Sequence, residues 1–183
     1  FGAAHIPGSQ FIWENLLPKY GGWLIDYNKP VVIVTEKGNE EIVVRKLSRL
    51  GYFNIKGFLN DGMFAWHKAG AESHNIKMIS VNRLCEKLDA DNQEIHILDI
   101  RSMAEKKADG QIKNAVEIEL TDLLEKYYLP DKNIAYYIFC GSGMRSMIAA
   151  SFLKNRGFNQ LTVVTGGLKA WTSLKCTIEL KTD

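Results

Sequence analysis

The chain has 183 residues, 46% hydrophobic and 24% charged, the balance of a globular protein able to bury a sizeable core. Its 23 Lys and Arg against 21 Asp and Glu leave a net charge of +2, with no basic block longer than two residues, which argues against a nucleic-acid or membrane-surface electrostatic footprint. Apolar runs such as VVIV at 31–34 fall far short of the roughly 18 residues of a membrane span.

No signal peptide opens the chain, and its first residue is Phe rather than Met, which reads as a cut within a longer protein. The first motif is AHIPGS (4–9), followed by the apolar VVIV (31–34) and then GYFNIKGFLNDGMFAW (51–66). A small, polar stretch without periodicity, AGAESHN (69–75), reads as a linker. Beyond it the same motifs return. GQIKNA (110–115) and GFNQLTVVTGGLKAW (157–171) lie 106 positions after their counterparts, slipping to 105 at the terminal Trp66 and Trp171. A period this long indicates a duplicated domain, with copies expected at 1–72 and 73–183. The counterpart of the strand at 95–100 would fall before Phe1, so the first copy lacks its beginning.

In the second copy, SVNRLCEKLDA (80–90) has helical periodicity, with Ser80 as N-cap and Val81, Leu84, Cys85 and Leu88 on one face. IHILDI (95–100) and AVEIEL (115–120) read as strands, and Thr121 can cap a helix running to Tyr128, ended by Pro130. IAYYIF (134–139) is almost continuously apolar, as in a central strand buried on both faces. RSMIAASFLKNR (145–156) reads as a helix with Met147, Ile148, Ala150, Ser151 and Leu153 toward the core and Gly157 at its C′ position. LTVVT (161–165) is a last strand and GLKAW opens a last helix. Strands alternating with helices predict an α/β fold: two domains, each a largely parallel sheet flanked by helices, the first incomplete.

The chemistry concentrates at residues 140–145. A buried strand feeds Cys140-Gly141-Ser142-Gly143-Met144-Arg145 and then a helix, the position where reactive groups gather in open α/β sheets. Two glycines let successive N–H groups turn inward, the helix N-terminus adds positive potential, and Arg145 adds a full charge. Together these favour a thiolate at Cys140, or an anion attached to its sulfur. Position 146 is Ser, so G-x-G-x-x-G is not completed and a nucleotide site is disfavoured.

CGSGMRS after a hydrophobic strand, the downstream GGLKAW and the upstream LDIR together resemble a rhodanese domain, a sulfurtransferase fold, and AHIPGS is similar to that family's substrate-side turn. The resemblance spans nearly the whole chain as two tandem domains. It implies that Cys140 carries a persulfide, taken from thiosulfate or a low-molecular-weight persulfide and passed to a thiol, sulfite or cyanide. Gly141, Ser142, Gly143, Met144 and Arg145 would form the cradle. The six-residue Cys-x4-Arg loop is shorter than the Cys-x5-Arg loop of related phosphatases and fits one sulfane sulfur better than a tetrahedral oxyanion. In the first copy Cys140 maps to Val34 and Arg145 to Asn39, or Cys140 to Thr35 when the register slides by one. No thiol is available there, so 1–72 reads as an inactive copy. The tandem arrangement also resembles the C-terminal part of fusions whose first domain is a metallo-β-lactamase-fold persulfide dioxygenase, which implies an upstream domain. The second reading is a non-catalytic docking or redox-sensing module.

Asp99 and Arg101 share a strand face and match the family's Asp-x-Arg, expected as a structural ion pair near the site. Trp66 and Trp171 are expected as core anchors, and Cys85 as an inert thiol. Cys176 is considered as a resolving thiol. Gln111, Lys113 and Asn114 replace the first copy's His5, Pro7 and Gly8, so an altered turn rigidity is expected. Three cysteines at irregular spacing read as reduced thiols in a cytoplasmic setting. His5, His67, His74 and His96 show no ligand spacing, so no metal and no cofactor are expected. Partners are a small-molecule sulfur donor and a thiol acceptor, with no nucleic acid or membrane and self-association left open.

Overall fold

A computed structural model describes residues 1–90, 94–125, 130–172 and 180–181. The chain divides into two compact units, Phe1 with Ala3–Asn75, and Gly2 with Ile76–Asp183. The division falls three residues beyond the expected boundary because His74 pairs back onto His5 as an antiparallel bridge, which holds residues 73–75 in the first unit. Among the described residues no helix is long and apolar enough to cross a membrane.

The first unit contains α1 (Leu17–Leu24), β1 (Val31–Ile33), α2 (Glu40–Arg49), β2 (Ile55–Phe58) and α3 (Gly62–Lys68). Pro18 fits the first turn of α1, where its missing N–H costs nothing. Glu40 and Glu41 at the start of α2, and Lys46 and Arg49 at its end, complement the helix dipole. β1 and β2 pair in parallel around a small core of Leu17, Ile33, Leu47 and Tyr52. The Tyr52 hydroxyl lies 3.1 Å from Gly21 O and 3.0 Å from Ile25 O, so its one polar atom is satisfied inside that core.

The second unit is built from β3 (Lys77–Ser80), α4 (Val81–Asp89), β4 (His96–Asp99), α5 (Met103–Asp109), β5 (Gln111–Ile112), β6 (Val116–Glu117), α6 (Leu120–Glu125), β7 (Tyr136–Phe139), α7 (Met144–Lys154), β8 (Leu161–Thr165), α8 (Gly167–Trp171) and β9 (Leu180–Lys181). Five strands form one parallel sheet in the order β3-β8-β7-β4-β6. On one face α4 and α8 cover Ile97, Phe139 and Val164. Alternation turns Leu98, Ile138 and Val163 to the other face, where they are equally buried. From β4 the chain steps to β6 on one side and returns to β7 on the other. The switch point therefore lies between β4 and β7, and the loop after β7 opens beside it.

Backbone conformation recurs at the repeat spacing. Gly157 and Gly51 both have φ +87°, and Asn114 (φ +60°) repeats the left-handed backbone of Gly8 (φ +76°), so the turn conformation survives the change of side chains. The antiparallel pairing of β5 with β9 repeats the bridge between His5 and His74.

Several sequence expectations need correction. The strand at 115–120 shrinks to Val116–Glu117, and Thr121 lies inside α6 rather than capping it. Leu120 N donates to Ile100 O at 3.3 Å, so the helix starts directly from the sheet. The expected end at Tyr128 lies outside the described residues. α7 is buried all round from Ser146 to Leu153, not on one side, because it packs on β7, β8 and α6. Trp171 is a core anchor, set edge-on against Phe139 at 5.2 Å. Trp66 is only half-buried and donates to Glu72 O at 2.8 Å. Cys85 is disulfide-bonded rather than a free thiol. The cysteines therefore do not indicate a cytoplasmic setting. Cys176 also lies outside the described residues.

Candidate functional site

β7 ends at Phe139 in the middle of the sheet, so Cys140 emerges at the carboxyl edge, between the ends of β4 and β8. Its side chain has no solvent-exposed surface, whereas Ser142 and Met144 on the same loop are exposed. The backbone then turns sharply at Gly143, whose φ of +101° no L side chain adopts readily. That turn brings the Gly143 N–H to 3.0 Å from Cys140 Sγ and makes Gly143 the N-cap of α7. The sulfur therefore sits at the N-terminal end of an eleven-residue helix with a backbone donor aimed at it.

The carbonyls of the loop are held by α8. Leu168 N donates to Cys140 O at 3.1 Å and Lys169 N to Gly141 O at 3.3 Å. The first turn of α8 thus spends its unpaired N–H groups on the loop's carbonyls. This is the physical link between GGLKAW and CGSGMR, which sequence reasoning treated as separate motifs. Gly167 makes the approach possible. A Cβ there would lie 2.2 Å from Cys140 O and 2.6 Å from both Gly141 C and Ser142 N.

Arg145 does not contribute the free charge expected of it. Nη1 and Nη2 donate to the two carboxylate oxygens of Glu105 at 2.7 and 2.5 Å, a bidentate pair packed beside Gly141. The Arg145 hydrogen bonds hold the Glu105 carboxyl at about 2, against an ordinary value of 4.5, so the pair stays ionised at neutral pH. Its net effect is to fasten the end of the loop to α5, with the positive field at the sulfur left to the backbone. Glu105 is the site residue that sequence reasoning missed. It also closes a capping box: Ser102 N donates to Glu105 Oε2 at 3.0 Å, and Glu105 N to Ser102 Oγ at 3.3 Å. The S-x-x-E spacing at 102–105 was legible as a helix start, but nothing local pointed to Arg145, forty positions away.

The Glu105 carboxylate's contribution is fully present above about 4.5 and is lost as pH falls through about 2. The stability gap between wild type and Glu105→Gln is therefore expected to be constant from neutral pH down to about 4.5 and to close toward pH 2. Denaturant midpoints at a series of pH values check this, and a gap unchanged at the acid end would refute the pairing. Ser102→Ala, which removes one half of the box, is expected to cost about 1 kcal/mol in the same measurement.

Asp99 and Arg101 form a fully buried pair, with Arg101 Nε 3.0 and 3.1 Å from the two carboxylate oxygens and Nη2 2.8 Å from Oδ2. Nη2 also donates to Gly110 O at 2.9 Å, which ties the end of β4 to the turn after α5.

The first unit carries the same loop without the sulfur. A Cβ on Gly62 (φ +54°) would lie 2.6 Å from Thr35 O, as one on Gly167 would lie against Cys140 O. That contact selects the register in which Thr35, not Val34, occupies the position of Cys140. The Gly38 N–H, whose counterpart meets Cys140 Sγ, donates instead to Glu40 Oε2 at 2.8 Å.

The sequence model for the rhodanese-like domain matches residues 1–69 and again 80–174. The chain belongs to the rhodanese-like domain family. Rhodanese-like relatives cover about half of it. "Putative sulfurtransferase YtwF" of Bacillus subtilis is 42% identical over 96 residues, 52% of this chain and 90% of that protein. A protein named "Sulfurtransferase" from Allochromatium vinosum is 29% identical over 96 residues, 52% of this chain and 88% of its own length. Among solved structures, a rhodanese-like domain protein from Staphylococcus aureus is 30% identical with a TM-score of 0.50, covering 58% of this chain and 100% of that one. The rhodanese fold, a mostly parallel sheet flanked by helices, is thus shared with known members, and the two matched segments fit a two-domain arrangement.

Proposed function

We propose that the second unit is a sulfurtransferase in which Cys140 carries the sulfur. The observation that carries the reading is the Gly143 N–H directed at Cys140 Sγ from the N-terminus of α7, in a loop whose carbonyls are held by α8. A backbone donor at a helix N-terminus stabilises a sulfur anion without calling on a metal or cofactor. The names of the curated relatives support the same reaction class.

The reaction takes two steps. The Cys140 thiolate attacks the sulfane sulfur of thiosulfate or of a small persulfide. With thiosulfate, the new S–S bond forms as the old one breaks and sulfite leaves with the electron pair. The outer sulfur, now Cys140–S–S⁻, rests as an anion at that helix N-terminus. A thiolate, sulfite or cyanide then attacks that outer atom and the Cys140 thiolate departs. In this reading Gly141, Ser142, Gly143 and Met144 supply the cradle, and Arg145 holds its shape through Glu105. The first unit, with Thr35 in place of the cysteine and Glu40 on the loop amide, is an inactive copy. Its pairing with the active unit is the basis for proposing a role within a larger persulfide-oxidising fusion.

Steady-state thiocyanate formation from thiosulfate and cyanide tests the reading, with parallel reciprocal plots expected for a carrier that alternates between two forms. A docking or redox-sensing module would react once and not turn over.

A further inference from the structure

Among the described residues three buried side-chain atoms have no hydrogen-bond partner within the protein: Ser73 Oγ, Arg101 Nη1 and Ser146 Oγ. The first lies in the other unit, at the end of its chain. The second belongs to a guanidinium that already donates to Asp99 and Gly110, so one unmade bond is a small fraction of its capacity. Ser146 is different. It is fully buried and its single hydroxyl donor is unused. Leaving a buried hydroxyl unpaired is a net cost to the fold, because its bond to water is given up and nothing replaces it.

The cost is avoidable in the same helix. Ser151, equally buried on α7, turns its hydroxyl back onto Ile148 O at 2.9 Å. Ser146 makes no such bond. Its place is also specific: it lies in the first turn of α7, directly after Arg145, at the helix end where the Gly143 N–H meets Cys140 Sγ. An alanine at this point would be a better helix former and would leave nothing unsatisfied.

We infer that Ser146 is a binding residue for the sulfur-loaded form: its hydroxyl is unpaired at rest and donates a hydrogen bond to the Cys140–S–S⁻ anion once the outer sulfur is in place. The inference rests on the carrier reading above. No covalent change is involved, since the hydroxyl keeps its proton and the persulfide keeps its charge. Because the bond exists only in the loaded state, it stabilises that state against the free thiolate instead of strengthening the fold in general. A charge-assisted bond to a buried anion is among the stronger kinds.

The test uses wild type, Ser146→Ala and Ser146→Thr, each melted before and after loading with thiosulfate, with persulfide decay followed by intact mass. Resting Ser146→Ala is expected to melt at or above the wild-type temperature, which a purely structural serine would also allow. Loading is expected to raise the wild-type melting temperature, and most of that rise is expected to vanish in Ser146→Ala, with persulfide decay about tenfold faster. Threonine, which keeps the hydroxyl, is expected to restore both. If its extra methyl disrupts the buried site, the loading-dependent shift in Ser146→Ala decides alone. An alanine variant that loads, shifts and decays like wild type overturns the assignment while leaving Cys140 as carrier. A wild-type chain that takes up no sulfur removes both readings together.

Discussion

After incubation with thiosulfate, the wild-type chain is expected to gain the mass of one sulfur atom and Cys140→Ser to gain none. The substitution is chosen because it removes the chemistry and little else. A serine oxygen can still accept from the Gly143 N–H, which reaches Sγ at 3.0 Å, so the loop has a reason to keep its conformation. The hydroxyl is not ionised at neutral pH and is a poor nucleophile toward sulfur without an adjacent base. Cys85 offers no competing thiol, because it is disulfide-bonded. Thiocyanate turnover is expected to fall to background in the same variant. Equal uptake by the two proteins would remove Cys140 from its role.

The second large effect is expected far from any reacting atom. Gly167→Ala places a methyl group 2.2 Å from Cys140 O and 2.6 Å from Gly141 C, and those are backbone atoms that cannot rotate aside. The residue also sits at φ +52°, where an alanine is strained. Either α8 withdraws or the loop does, and in both cases the bonds from Leu168 N and Lys169 N to the loop carbonyls are lost. The expected cost is about 2–4 kcal/mol of stability, with sulfur loading reduced at least tenfold. Gly157→Ala is the control. Gly157 also has positive φ (+87°), but no atom lies within 4 Å of its Cβ position. It is expected to lose about 1 kcal/mol and load normally. Chemical denaturation and the mass measurement check both. If Gly167→Ala loads at the wild-type rate, α8 is not what orients the loop.

What could be read from the sequence was what local chemistry writes locally. YYIF at 136–139 is a central strand because its apolar run leaves no polar face, and two glycines within four residues then mark a backbone about to curl. Ser80 caps α4 as expected, accepting from Arg83 N at 3.3 Å. β3 escaped notice because it is an edge strand, with Lys77 and Met78 facing solvent, so it lacks the apolar run that marks its neighbours. α2 shows helical charge pattern only once its ends are known. The larger miss was in the meaning of Arg145. Its charge was legible, but the carboxylate that compensates it arrives from α5 through tertiary packing, and no spacing rule joins Glu105 to it. Likewise, GGLKAW was legible as a repeated motif, whereas its two N–H groups serving the cysteine loop required three dimensions to see.

The enclosure of Cys140 carries a consequence for regiochemistry. With no surface of its own open to solvent, the residue can present an added sulfur only by placing that atom between itself and the exterior. In the proposed reaction an acceptor thiolate arriving from outside would meet the terminal atom first and leave as a free persulfide. The competing path, attack on the inner sulfur with expulsion of hydrosulfide, would leave the acceptor disulfide-linked to the protein in a dead-end adduct. On the proposed reading, burial of Cys140 disfavours that path, so the packing that hides the nucleophile would also select which of two adjacent sulfurs is handed over.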